Sequence, residues 1–477
     1  MRKALIVTLV IFFIFTAIGV FAGGKKEEGA VEEEKVEKAV TTEKEVVSGK
    51  YDLSYFQEAD IDWRQFEGET ISILAFSNPF WQWAEGAVEQ FEELTGIETD
   101  ILVLSESEFF DKQLIALTSG SGEYDLTYTF SPYFVWQYEP GNHLVDLNQF
   151  INDASLTDPN WYKVDDYYPA MLEMGEVNGK QLAMPYQVET CILHYRKDIF
   201  KEAGITQMPK TLEELYEVAK RLTDEFGVYG FDNRGALSVG PMMTPFTGFF
   251  YAYGAEDFDE ETLESRINSP ESVYVMSLYA KIIKECGPPD WTTRYWYERN
   301  ADFQSGKTAM TSDCDLFVPI FEDPEQTEVA GKIAYAVIPG GPDGIKSSAG
   351  GFGWAMDNAS KNKEAAWLFI EWATCPGVLK EASVNGTNMV PIRKSVWECP
   401  ELIERLGEWD GFRDAVTQNL EKYASVLDIP NPKNMAARLR KMEALQEIWM
   451  GEDPQKALDK AAKDINEMMQ EAGLLKK

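Results

Sequence analysis

Four groups of residues have types and spacings that could do chemistry. Gly306-Lys307-Thr308 resembles the end of a phosphate-cradling loop, but that loop needs another glycine five residues ahead, and position 301 is alanine. A turn into a short apolar strand, Thr308 to Thr311, accounts for it better. Gly350 to Gly353 (GGFG) lacks the spacing and the following helix of a dinucleotide fingerprint. The two histidines, His143 and His194, are far apart and there is no HExxH, so catalytic zinc and a Ser-His-Asp triad find no support. Glu106 with Glu108, and Asp313 with Asp315, imitate a glycosidase carboxylate pair. In a chain with 80 Asp and Glu such pairs are expected by number alone, and solvated acids are the simpler account.

The aromatic content, 13%, points to binding instead. Sugars present apolar C–H faces and a rim of hydroxyls, so their sites combine aromatic surfaces with a few orienting polar groups. Candidate ligand-binding residues of both kinds are Asn78 with Trp81, Ser131, Glu189, Phe246, Trp296 beside Tyr295, Asp313, Gly351, Phe352 and Trp354. Ordinary core packing competes for each single aromatic, and Trp83, Trp367 and Trp372 fall on helix faces that read as core. Phe352 and Trp354 share a strand face, so they line a cleft together or both pack inward. Following a glycine pair whose backbone can approach a neighbour closely, Phe352 is the better candidate.

The elements that would position these residues alternate strand and helix. Thr70 to Phe76, Ile97 to Leu104 and Tyr124 to Phe130 read as strands; Pro79 to Leu94 and Phe110 to Leu117 read as helices. This favours a mainly parallel sheet covered by helices, with ligands at the carboxyl ends of strands. Asn178-Gly179 is a hairpin signal ahead of the strands Gln181 to Tyr186 and Cys191 to Tyr195. Thr211-x-x-Glu214 is a capping box, and Ser360 reads as the N-cap of a helix opened by Glu364. Leu458, Ala461, Ala462, Ile465, Met468 and Met469 share one face of a last helix.

The stretch from Phe303 to Trp372 carries FQSGKTAM, then FEDPEQTEVAGKIAYAVIPGGP, then SAGGFGWAMDNASKNKEAAWLFIEW. In this order it resembles the extracellular solute-binding proteins (family 1) that serve bacterial ABC sugar importers, in a sorbitol/mannitol-like flavour. The resemblance runs from about Thr70 to about Met469. It implies an α/β fold of the two-lobed periplasmic binding protein kind (type II) with three interlobe crossovers. The strand pair after the hairpin would be the first crossover, Ile333 to Ile338 the return, and the region from Asn385 to Pro391 the third. The lobes would comprise 63–186 with 336–385, and 187–335 with 386–477. The implied function is capture of a carbohydrate or polyol between the lobes and delivery to the permease subunits of an ABC importer, without catalysis or cofactor, by a monomer. A secreted carbohydrate-active enzyme and a sugar-sensing binding protein remain the alternatives.

Composition bounds the partners and the compartment. A net charge of −36 argues against nucleic acid or an anionic membrane as partner. Arg2 and Lys3, the apolar run Ala4 to Val20 and the small residues up to Ala22 predict a Sec-type signal peptide over 1–22, hence a periplasmic or extracellular protein. An uncleaved anchor is the competing reading. With Gly24 and no cysteine at this point, the lipid-anchoring cysteine that many of the resembled proteins carry is missing. Residues 23–62 read as a disordered tether, the Glu- and Lys-rich part of it free of aromatics. Five cysteines do not make a disulfide scaffold; Cys375 and Cys399 are candidates for one bridge, and Cys191 reads as buried packing.

Overall fold

The computed structural model describes residues 53–77, 79–237, 244–386 and 390–475. Ahead of Trp63, Leu53–Glu58 forms a 3-10 helix that buries Phe56 against Trp63 and Trp161. A folded element therefore lies within the stretch expected as a tether.

Three strands, β1 (Thr70–Phe76), β2 (Glu98–Leu104) and β3 (Leu126–Ser131), are parallel, with helices Pro79–Thr95 and Glu106–Ser119 between them. The second helix is longer than its apolar spacing indicates, because Ser105 and Glu108 close a capping box and Gly120 ends it in the left-handed region. Asn178 and Gly179, at φ 53° and 78°, make the tight turn between β4 (Glu176–Val177) and β5 (Lys180–Gln181).

Where the sequence indicated two strands there is one, β6 (Ala183–Arg196), 14 residues long and buried along almost its whole length. A strand covered on both faces shows no alternation, which hides its continuity. A register shift between Pro185 and Gln187 accommodates the proline, whose missing N–H would break a regular ladder. The remaining strands are β7 (Met310–Cys314), β8 (Ile333–Val337), β9 (Ser347–Met356) and β10 (Ala424–Ser425).

β6 changes partners midway. From Ala183 to Thr190 it pairs with β9; from Cys191 onward it lies between β7 and β8. β9 continues antiparallel along β3 and meets β10 at its first residues. The strand order is β2-β1-β3-β9-β6-β7, with β8 on β6 and β10 on β9. Trp81, Trp354, Phe369 and Trp372 nest in one core, where the helix Pro79–Thr95, β9 and the helix Lys363–Thr374 meet. A second core joins the helices Leu212–Phe226, Pro270–Cys286, Asn434–Met450 and Pro454–Glu471 to Leu193 and Met310. Among the described residues no helix is long and apolar enough to cross a membrane.

Two local expectations are corrected. The helix expected from Ser360 has Asn362 at its N-cap position and starts at Lys363. Ser360 instead donates its hydroxyl to Asp125 Oδ1 at 2.7 Å and accepts from the Asn362 N–H, a small turn that precedes the helix. Cys375 and Cys399 are both free thiols, buried at helix starts. The Cys375 sulfur accepts from the Val378 N–H, so it caps a helix and does not bridge; burial pushes that thiol up to about 12.

Candidate ligand-binding site

Strand register lines up several of the expected residues at the place where β6 changes partners. Ser131 stands opposite Gly351, Gly351 opposite Val188, Gly350 opposite Glu189, and Asp313 opposite Ile192. The chain must run close here. A Cβ on Gly351 would sit 2.2 Å from the Gln187 carbonyl oxygen, so glycine is what allows β9 to lie against β6 at this position. Glu189 is 8% exposed and Phe352 is half-buried, whereas Asp313 is enclosed.

Asp313 is the centre of a charged cluster. Arg234 donates to both of its oxygens, through Nε to Oδ2 at 2.7 Å and through Nη2 to Oδ1, and Arg299 Nη2 lies 2.8 Å from Oδ2. The Cys314 N–H adds a bond to Oδ1 at 2.7 Å. Burial opposes ionisation of this carboxyl, but the guanidiniums of Arg234 and Arg299 outweigh it and hold the group below the usual aspartate range. Both arginines also face an aromatic ring: the guanidinium carbons of Arg299 and Arg234 lie 4.8 Å and 5.5 Å from the Phe317 centroid. Half-buried Trp296 stacks on the same ring, at 5.4 Å and 28°.

Behind Arg234, Arg294 Nη2 binds Asp232 at 3.2 Å and Asp302 at 2.5 Å. Desolvation pushes the Asp232 carboxyl up to about 7 in spite of that partner. Next to Glu189, Thr190 donates its N–H and hydroxyl to Asp315 Oδ2 at 3.0 and 2.8 Å, and Asn419 donates to the Thr190 hydroxyl at 2.9 Å. Burial pushes the Asp315 carboxyl well above its usual range. His194 is driven down to about 3 by burial and is closed off from solvent.

The other expected residues fall elsewhere. Trp81 and Trp354 are fully enclosed and meet edge to face at 5.8 Å. Phe246 is buried in the second core against Phe250 and Tyr279. Asn78 lies outside the described residues, and for Ser131 only the backbone, the last residue of β3, is described. Among the acids that imitate a glycosidase pair, Glu108 closes a helix cap, Asp313 is ion-paired and Asp315 holds Thr190. Gly306, at φ 77°, turns the chain toward β7, and Lys307 pairs with Asp302 at 2.9 Å.

Arg234, Arg299 and Gln187 did not emerge from the sequence. One signal was available: Asp313 lies two residues past the strand expected at Thr308 to Thr311, and a carboxylate buried there needs a cation. A separate surface recess of about 620 Å3, lined by Thr211, Glu213, Tyr253 and Tyr274 among others, holds none of the expected residues.

What this junction can do is hold a polar solute. The paired charges make a polar but enclosed centre, Trp296 offers partly open ring surface beside it, and Phe352 offers another farther along β9. Comparison with known proteins identifies the family. The chain is 29% identical over 418 residues to the erythritol/L-threitol-binding protein of Mycolicibacterium smegmatis, covering 84% of this chain and 86% of that one. A solute-binding protein of an ABC transporter from Agrobacterium radiobacter, solved with ribitol, superposes with a TM-score of 0.74 at 27% identity, over 84% of this chain and 99% of that one. One from Agrobacterium vitis with bound D-mannitol gives 0.72 at 23% identity, over 85% and 99%. These neighbours share the two-lobed α/β periplasmic binding protein fold, which is the fold of this chain. The profile of the bacterial extracellular solute-binding proteins matches residues 80–379, and the protein belongs to that family.

Proposed function

We propose that the protein captures a neutral polyhydroxylated solute, an acyclic polyol or a small sugar, where β6 and β9 meet, and delivers it to the permease subunits of an ABC importer. The observation that carries this reading is the charge-compensated Asp313 cluster with half-buried Trp296 stacked beside it on Phe317; Phe352 lies farther along, opposite Gln187. The carboxylate is charge-compensated by Arg234 and Arg299, so an uncharged ligand brings no unpaired charge into the site. Planar forks of donors and acceptors match adjacent hydroxyls, and the rings cover C–H surface. The relatives named for erythritol, threitol and ribitol favour the acyclic end of this class.

Glu189, Asp313, Trp296, Gly351 and Phe352 form the site in this reading, with Arg234 added, and the backbone of Ser131, opposite Gly351, borders it. The lobes would meet where β6 changes partners, and closure around the solute would be a hinge motion of one lobe on the other. The protein acts as an exported monomer, without turnover and without a cofactor, its signal peptide removed after Ala22. A thermal-shift screen over polyols and sugars tests the reading, because a ligand that binds only the folded chain raises its melting temperature. A shift for at least one polyol or small sugar is expected; no shift across the panel would oppose it. Mass spectrometry of the exported chain should find residues 1–22 absent.

A further inference from the structure

Two of the five cysteines face each other at the partner change of β6. The strands β6 and β7 run antiparallel, with Cys191 directly opposite Cys314. Both side chains are enclosed, neither is in a disulfide, and the two are within hydrogen-bonding reach of one another.

The kind of opposition matters. Arg196 donates its N–H across to Ala309 at 2.9 Å, so β6 residues an even number of steps from Arg196 bond to β7. Cys191 is an odd number of steps away. Its N–H goes instead to Ser347 Oγ at 3.0 Å, and its carbonyl accepts from Ser347 Oγ at 3.1 Å and Asn419 Nδ2 at 3.0 Å. Cys191 and Cys314 are therefore a non-hydrogen-bonded pair, the type whose Cα atoms are about 4.5 Å apart and whose side chains come closest. A disulfide spans Cα separations of about 4.4 to 6.8 Å, so this pair can be joined with little movement, near the short limit where the bond is strained and easily reduced.

The position is mechanically sensitive. Thr190 is the last residue of β6 opposite β9, and Ile192 the first opposite β8. Cys314 follows Asp313, and Arg234 Nη2 lies 3.7 Å from its sulfur. We propose that Cys191 and Cys314 form a redox-sensitive cross-strand disulfide in the exported protein, tying the middle of β6 to the strand that carries Asp313. One cysteine thiolate attacks a disulfide-bearing oxidant, a thiol–disulfide oxidase or a small oxidised thiol, and expels one thiolate of that oxidant. The second cysteine then attacks the sulfur of its partner, and the oxidant leaves as two thiols carrying the two protons the cysteines lose. Extracellular compartments sustain such bonds. The closed strands block access, so the exchange takes place while the chain folds or when β7 opens locally.

The test uses the full mature chain refolded with oxidised glutathione, then alkylated in denaturant and digested. Three alkylated thiols are expected out of the five, with the Cys191 and Cys314 peptides joined, and dithiothreitol should restore all five. The oxidised form should melt higher by roughly 5 °C, and Cys191→Ala or Cys314→Ala should each abolish that oxidant-dependent shift. Either variant sits in a buried strand pair and could fold poorly, so the peptide linkage in the unaltered chain decides alone. Five alkylated thiols after oxidant treatment, or a bridge joining any other pair, would overturn the proposal, whatever the protein binds.

Discussion

The ring of Phe352 lies parallel to that of Tyr128, with centroids 5.2 Å apart and planes 6° from parallel. Tyr128 is fully buried and Phe352 is half-buried, so Phe352 lies at the edge of the core. Trp354, two residues on, meets the same tyrosine edge to face and is enclosed. Phe352→Ala should weaken polyol or sugar binding at least 10-fold and cost roughly 2 kcal/mol of stability, about half the price of a fully buried phenylalanine. Trp354→Ala should cost roughly 3–5 kcal/mol. Calorimetric affinity and urea denaturation of each variant separate the two roles; normal affinity in folded Phe352→Ala would remove this ring from the site.

Gly351→Ala tests the close approach of β9 to β6. The added methyl would meet the Gln187 carbonyl oxygen, a backbone atom that cannot swing away. Overpacking of this kind costs roughly 1–3 kcal/mol, and the displaced strand should carry Glu189 with it. Lower melting temperature together with weaker binding is the expected result.

Asp313→Asn leaves two buried guanidiniums without their carboxylate. Removing one partner of a buried pair typically costs roughly 3–5 kcal/mol, so the variant should melt well below the unaltered protein. A change within about 0.5 kcal/mol, measured by urea denaturation, would mean that Asp313 is not the hub of the cluster.

Asp232 gives a pH dependence with a definite sign. Its carboxyl is raised from 3.8 to about 7 in the folded chain, mainly by burial. Between those values the folded chain holds a proton that the unfolded chain has lost, so this group makes stability fall as pH rises from about 4 to 7. Asp232→Asn should gain on the unaltered protein by roughly 2–4 kcal/mol between pH 4.5 and 7.5. Denaturation curves at four pH values in that range check it, and parallel slopes for the two proteins would count against the assignment.

The parallel strands, several of the longer helices and the tight turn at Asn178-Gly179 were readable because their signals are local: alternation, helical spacing, and residues that accept positive φ. Long-range pairing was not. β6 is buried on both faces, so nothing in its residues marks where it leaves β9 for β7 and β8. Trp81 and Trp354 carry the same residue type as a sugar platform, and only the mutual packing of helix Pro79–Thr95 and β9 shows them enclosed. Arg234 lies 79 residues before Asp313, and the nearer Arg299 sits in a stretch without any motif. Their role comes from the sheet, which brings the three together.

Titration calorimetry of the purified mature protein with erythritol, ribitol, mannitol and a set of mono- and disaccharides, each ligand recovered and checked by NMR, bears most directly on the central claim. The account predicts saturable one-to-one binding of at least one polyol or small sugar, recovered unchanged, and loss of that binding in Phe352→Ala. Chemical conversion of the ligand, or no heat with any member of the set, would contradict it.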